Sequence, residues 1–284
     1  MILVLGASGT VGSELIRQLQ AAGAPFKGGY HSEEKAQEAR DRGIDPVIID
    51  YSKPHTLEPS LRGIDHLFLL GAGGGDQTQQ EINVVEAAVR AGVEHIVKLS
   101  VWGAEGEDFS FAKIHRPVER AIEQSPLGWT FLRPNGFMQN VGNYFAPTIR
   151  AQGAFYGNIG DAQISHVDVR DIASVALKAL TERGHTGHAY PLTGPDPLTY
   201  AEIASKLSKA AGRKVKYINL PDDQLKQGMT AAGIPAYYAD LLLDLNRYYR
   251  EGRASKVTDD VKRVTGRNPI SFDRYAGNNA KMFV

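Results

Sequence analysis

The sequence predicts an α/β protein: a doubly wound parallel sheet in the N-terminal half, followed by a smaller C-terminal α+β portion. Three observations predict it. Short apolar runs alternate with amphipathic helical stretches from Ile2 to Leu132; a glycine-rich turn joins the first run to the first helix; and the pattern changes after Arg133-Pro134. Strand–helix alternation with right-handed crossovers builds a parallel sheet covered on both faces.

The elements follow in order. Ile2–Leu5 is an unbroken apolar run, as expected of a strand buried on both faces. Val11, Leu15, Ile16 and Leu19 then share one helical stripe, which Ala21-Ala22-Gly23 stops. Further short strands are expected at 25–30, 46–50, 66–70, 95–99 and 129–132, with helices near 32–42, 77–91 and 110–124. In the second half, helices are expected near 136–151, 169–182, 199–211, 222–232 and 236–250. Strand candidates there lie at 154–156, 163–166, 188–192 and 215–219.

Composition narrows the functional classes. The 284 residues carry 32 Lys plus Arg against 32 Asp plus Glu, which is not the basic footprint of a nucleic-acid binder. Cysteine is absent, so disulfides, thiolate metal sites and cysteine nucleophiles are excluded together. The apolar start ends at Gly6, too short for a signal segment, and no stretch reaches the length of a membrane span. A cytoplasmic protein without nucleic-acid or membrane partners, monomer or homodimer, is expected. The histidines are scattered without ligand spacing, so no metal site is expected, and no Gly-x-Ser-x-Gly elbow occurs.

The turn Gly6-Ala7-Ser8-Gly9-Thr10-Val11-Gly12 has GxxGxxG spacing between a strand and a helix. That context lets the first glycine turn the chain, the second approach a pyrophosphate, and the third pack helix on strand. The helix N-terminus then offers free N–H groups to the diphosphate. A Rossmann-type dinucleotide site is expected, held by Gly6, Ser8, Gly9, Thr10, Val11 and Gly12. The end of the second strand reads Gly28-Gly29-Tyr30-His31-Ser32, without the acid that holds a ribose 2′-OH in NAD sites. His31, Ser32 and Lys35 suit a 2′-phosphate, so NADP(H) is expected, with NAD(H) the alternative. The competing reading is a polar turn with Ser32 as N-cap.

Longer stretches carry a resemblance. ILVLGASGTVG at the start, Asp50-Tyr51-Ser52-Lys53-Pro54, HIVKLSVWGA (95–104), IHRPVERAIEQSPLGWTFLRPNGFMQN (114–140) and HVDVRDIASVAL (166–177) resemble the NmrA-like family of atypical short-chain dehydrogenase/reductases. The tail segments 192–220 and 257–276 are similar to those of ergot-alkaloid, triphenylmethane and quinone reductases of that family. The change of pattern after Arg133-Pro134 divides the chain into a dinucleotide-binding domain at 1–135, with later segments near 160–182 crossing back, and a substrate-binding cap at 136–284. The resemblance implies that Gly71 and Ala72 line the diphosphate–ribose path and that Asp50 approaches the adenine. For Gly73-Gly74-Gly75 cofactor contact and a loop rim remain alternatives. The family's arginine after the second strand is His31 here, a weaker phosphate partner than an arginine fork.

Ordinary short-chain dehydrogenases carry Tyr-x-x-x-Lys, where the phenol protonates a carbonyl oxygen. The corresponding stretch is Phe111-Ala112-Lys113-Ile114-His115, so both residues are missing. A site without that donor suits acceptors that are already electron-poor, such as a quinone, an imine or iminium, or a cationic dye. Ser100, Trp102, His115, Asn135 and Phe137 are the expected catalytic-site residues, with Pro134 beside the nicotinamide. Glu119, four residues after His115, is expected to orient the imidazole. The expected function is an NAD(P)H-dependent reductase of a small aromatic or heterocyclic substrate. The alternative is a non-catalytic NADP(H)-binding redox sensor.

Overall fold

The computed structural model describes residues 1–71 and 73–284, and the chain forms two compact units. The first comprises 1–105, 112–133 and 169–190; the second comprises 106–111, 134–168 and 191–284.

Among the described residues the main sheet has seven strands: β1 (Ile2–Val4), β2 (Phe26–Tyr30), β3 (Pro46–Ile48), β4 (His66–Leu69), β5 (His95–Leu99), β6 (Gly128–Pro134) and, beside β6, β8 (His188–Leu192). Their spatial order is β3-β2-β1-β4-β5-β6-β8, and each pair from β3 to β6 is parallel. The chain winds outward from β1 to β3, then restarts on the other side at β4. That reversal opens a crevice at the carboxyl ends of β1 and β4, where open α/β sheets take their ligands.

Side-chain alternation explains how both faces are covered. Leu3, Leu5, Leu67, Leu69, Ile96 and Phe131 form one core with Leu57 and Leu61 of α3 (Pro54–Leu61), Val84, Val85 and Ala88 of α4 (Gln77–Ala91), and Val118 and Ile122 of α5 (Ser110–Glu123). The alternate positions Val4, Phe68 and Val97 are fully buried towards the other face. There α1 (Thr10–Ala21) packs on the helix Val169–Thr181, and Gln18 Nε2 donates to the Arg170 carbonyl at 3.0 Å. The helix α2 (Glu33–Asp41) follows β2.

The first half corrects the sequence reading in one place. α3 was not expected, because a run of eight residues with prolines at 54 and 59 has little helical periodicity. Pro54 nevertheless sits at the start, where a missing N–H is harmless.

The second unit has its own core of Met138, Ile149, Phe155, Ile203, Leu207, Phe272, Tyr275 and Phe283. In it β7 (Ala154–Gly157) pairs in parallel with β9 (Lys216–Asn219). The helix expected over 136–151 is interrupted, running as Met138–Asn140, a π turn at Val141–Phe145, and Ala146–Gln152. Pro147 supplies no N–H for a regular ladder, and Gly142 packs so tightly that a Cβ would lie 2.7 Å from the Tyr275 hydroxyl. The strand expected at 163–166 is only an isolated bridge between Ile164 and Leu198. Ser165 sends its N–H and hydroxyl to the Ala254 and Ser255 carbonyls instead of a ladder partner. Short helices at Asp260–Thr265 and Phe272–Asn278 were also not expected.

Candidate active site

A groove of about 480 Å³ opens at the carboxyl ends of β3, β2, β1 and β4. Its walls are Gly6, Ser8 and Gly9 from the first turn, Tyr30 at the end of β2 and His31 after it, Asp50 and Tyr51 after β3, and Leu70, Gly71 and Gly73 after β4. The first turn folds as its glycines require. Gly6 takes φ +67°, a left-handed conformation suited to glycine, and its carbonyl accepts the Gly9 N–H at 2.9 Å. A Cβ on Gly12 would stand 2.1 Å from that carbonyl oxygen, so helix and turn approach as closely as only glycine allows. Thr10 opens α1 and is exposed, whereas Val11 is buried beneath it. Such a turn can hold a diphosphate: it offers bare backbone, a helix N-terminus and no acidic residue in its first turn.

The residues expected around the ribose separate. His31 is exposed and lines the groove. Ser32 is the N-cap of α2, accepting from the Lys35 N–H at 3.3 Å, and Lys35 pairs with Glu38 at 2.9 Å. Neither Ser32 nor Lys35 is in the groove wall. Asp50 lines it, with Oδ1 accepting from Ser52 N–H and hydroxyl at 3.0 and 2.6 Å and Oδ2 3.0 Å from Lys53 Nζ. The Ser52 hydroxyl and Lys53 hold its carboxyl down at about 2, so it is an anion at any working pH. Ala72 lies outside the described residues.

Behind the Gly71 wall sits a buried polar chain. A Cβ on Gly71 would meet Glu81 Oε1 at 2.3 Å, and that oxygen accepts from Gln77 Nε2 at 2.8 Å. Glu81 forms an ion pair with Lys98 on β5, both side chains being fully buried. Lys98 Nζ also donates to the Leu99 carbonyl at 2.8 Å and to His115 Nδ1 at 3.1 Å. Burial and the Lys98 charge hold the half-buried His115 well below the ordinary histidine range, so it is neutral.

This corrects the expected role of Glu119. Its carboxylate takes Arg133 Nε at 2.9 Å and Nη2 at 2.8 Å, and Arg116 Nη1 at 3.0 Å. Helical spacing puts Glu119 near His115, but two guanidinium groups outcompete a neutral imidazole for a buried carboxylate. Ser100 is buried at the end of the same strand as Lys98, with its hydroxyl beside Glu119, and Trp102 is half-buried just beyond it.

Pro134, Asn135 and Phe137 belong to the second unit. The Asn135 carboxamide is committed to backbone, donating to the Ala254 carbonyl at 2.8 Å and accepting from the Gly136 N–H at 2.9 Å. Pro134 is buried and Phe137 half-buried. On the tyrosine-rich helix, Tyr248 and Tyr249 are core residues and Tyr237 is exposed.

A family model described as the NmrA-like family matches residues 1–272. The chain belongs to the NmrA-like family. As an NmrA-like protein it is 40% identical to an NAD(P)H azoreductase of Xenophilus azovorans over 100% of this chain and 99% of that one. Its fold is similar to that of an Escherichia coli NADPH-dependent quinone oxidoreductase complexed with NADPH, with TM-score 0.89 and 27% identity over 98% and 99% of the two chains. It is equally similar to a Citrobacter triphenylmethane reductase complexed with NADP(H), with TM-score 0.88 and 28% identity over the same shares.

In this NmrA-like chain the residues that sequence reading missed are Lys98 and Glu81. In the sequence Lys98 falls within the strand run HIVKLS and Glu81 within the helix expected near 77–91. A signal did exist: a lysine inside a strand otherwise buried on both faces needs a buried anion, and such pairs cluster at functional sites. Which acid answers it is a matter of fold.

Proposed function

We propose that this protein passes hydride from NADPH to a small, planar, electron-poor acceptor: a quinone, an imine or iminium, or a cationic dye. It is an NAD(P)H-dependent reductase of the NmrA-like family, in keeping with its azoreductase relative and the two NADP(H)-complexed reductases. The observation that carries the reading is the glycine-walled groove at the β1/β4 reversal, with His31 and Asp50 at its far wall. The residues fit a dinucleotide, because Gly6 and Gly9 put bare backbone in the groove wall and Gly12 lets the helix N-terminus close on the turn.

In this reading Gly6, Ser8, Gly9, Thr10, Val11, Gly12 and Gly71 hold the diphosphate and ribose, Asp50 faces the adenine side, and His31 receives the 2′-phosphate. The bound nicotinamide supplies the hydride. Ser100, Trp102 and His115 serve the acceptor, and Pro134, Asn135 and Phe137 of the second unit are kept for the nicotinamide and substrate. Phe111 stands where a catalytic phenol would be, and this reading gives the proton for a neutral acceptor to His115. The cytoplasm, where NADPH is supplied, is the compartment this reading assigns to it.

The test is to mix the protein with NADPH or NADH and a panel of quinones, cyclic imines and cationic dyes, following cofactor absorbance. NADPH oxidation with at least one class is expected. His115→Ala is expected to lower quinone turnover about a hundredfold while sparing a cationic dye, which needs no proton. Tight NADPH binding without turnover of any acceptor would instead make the protein a sensor.

A further inference from the structure

The Lys98 ammonium has N–H bonds and no lone pair, and the structure gives it two hydrogen-bond acceptors, the Leu99 carbonyl at 2.8 Å and His115 Nδ1 at 3.1 Å, with the Glu81 carboxylate as its ion-pair partner. Lys98 and Glu81 are wholly shielded from solvent, so water does not compete for these positions. Because an ammonium only donates, Nδ1 is the accepting nitrogen and the ring's single proton sits on Nε2. An adjacent full positive charge also opposes a second proton on the ring. Two other charged groups of α5, Arg116 and Glu119, are engaged with each other and with Arg133, leaving Lys98, backed by Glu81, as the charge in hydrogen-bonding contact with the ring.

We propose that Lys98, anchored by Glu81, is a positioning residue that locks His115 in the neutral Nε2–H form and replaces the proton that His115 gives up. The proposal rests on His115 being the proton donor of the reading above. The proton balance is closed. The Nε2–H bond breaks as the O–H bond of the reduced quinone forms, and Nδ1 takes a proton from Lys98 Nζ, so the imidazole stays neutral throughout. Lys98 is left as an amine beside the Glu81 carboxylate. A proton from water at Nε2, with return of the Nδ1 proton to Nζ, restores the starting state. A buried ammonium with a neutral imidazole relay thus takes the place of the phenol that Phe111 lacks.

The first test needs no variant. Long-range ¹H–¹⁵N correlation of the labelled wild-type protein reads the His115 tautomer directly. A single Nε2–H form, unchanged from about pH 8 to about pH 5.5, is expected. An Nδ1–H form, or an imidazolium near neutral pH, overturns the proposal. The second test uses Glu81→Gln with Lys98→Met, because Lys98→Met alone would strand a buried carboxylate and unfold the protein. In the double variant the ring is expected to populate both tautomers and to titrate closer to an ordinary histidine. Quinone turnover is expected to fall about tenfold or more relative to turnover of a cationic dye by the same variant. Wild-type tautomer and wild-type quinone-to-dye ratio in that variant would refute the lock and the proton return together. If His115→Ala leaves quinone turnover intact, the donor assignment and the proton return fail, while the tautomer spectrum still decides the lock.

Discussion

Glu119 and Arg133 form a two-point ion pair, with the carboxylate accepting from Nε at 2.9 Å and from Nη2 at 2.8 Å. It joins α5 to β6 in the first unit, and the Glu119 side chain is fully buried. Arg133 reaches on to Glu105 at 2.8 Å and Arg116 to Glu123 at 2.9 Å, so the pair is the centre of a charge network.

Removing Glu119 therefore has a stability consequence with a definite pH signature. Burial pushes its carboxyl up, but Arg133, Ser100 and Arg116 outweigh burial and bring it below 4.5. A carboxyl whose folded value is depressed contributes stability above its unfolded value, and that contribution is lost as pH falls through the folded value. Glu119→Gln is expected to cost about 3 kcal/mol near neutral pH, since two guanidinium groups lose a buried partner. Urea denaturation across pH should show the gap to wild type shrinking below about pH 4. A gap that stays constant into strong acid would contradict the assignment.

The glycines of the first turn are expected to divide by role. On Gly12 a Cβ would meet the Gly6 carbonyl oxygen at 2.1 Å, so Gly12→Ala must move backbone and should lose about 1–3 kcal/mol of stability. On Gly9 the same carbonyl is 3.3 Å away, and the residue is exposed in the groove wall. Gly9→Val should keep its thermal transition and far-ultraviolet spectrum yet lose NADPH binding in calorimetric titration. Wild-type affinity in a folded Gly9→Val protein would reduce the turn to a packing device.

Coenzyme choice should rest on His31 more than on Lys35, because Lys35 is already paired with Glu38. NADPH is expected to bind more tightly than NADH. His31→Ala should remove about tenfold of that preference, the size of one charge-assisted hydrogen bond, and Lys35→Ala should remove less. Binding titrations with both coenzymes decide it. A larger effect at Lys35 would mean that its side chain leaves Glu38 when the coenzyme arrives.

The main sheet was legible because its signals are local. An apolar run, a glycine turn and a stripe such as Val11, Leu15, Ile16 and Leu19 depend only on spacing along the chain. The helix Gln77–Ala91 and the strand His95–Leu99 end where the pattern says they should. The glycines of the groove wall were legible for the same reason, because they lie close together in one turn of the sequence, and the rest of that wall follows at strand ends.

What the sequence determined by itself is thus the strand–helix alternation, the glycine cradle, the missing phenol at Phe111 and the family. Tertiary structure alone decided who partners whom. Glu119 had the helical spacing to reach His115, yet Arg133, from a different element, took it. Lys98 reached His115 instead, and Glu81, seventeen positions upstream on another helix, neutralised Lys98. Likewise 188–192 joined the main sheet beside β6, while 163–166 found only a bridge. The physical reason is one. Periodicity tells which residues a segment buries, but a buried charge or a free strand edge is satisfied by whatever the fold brings within about 3 Å, and that distance is not written in the local pattern.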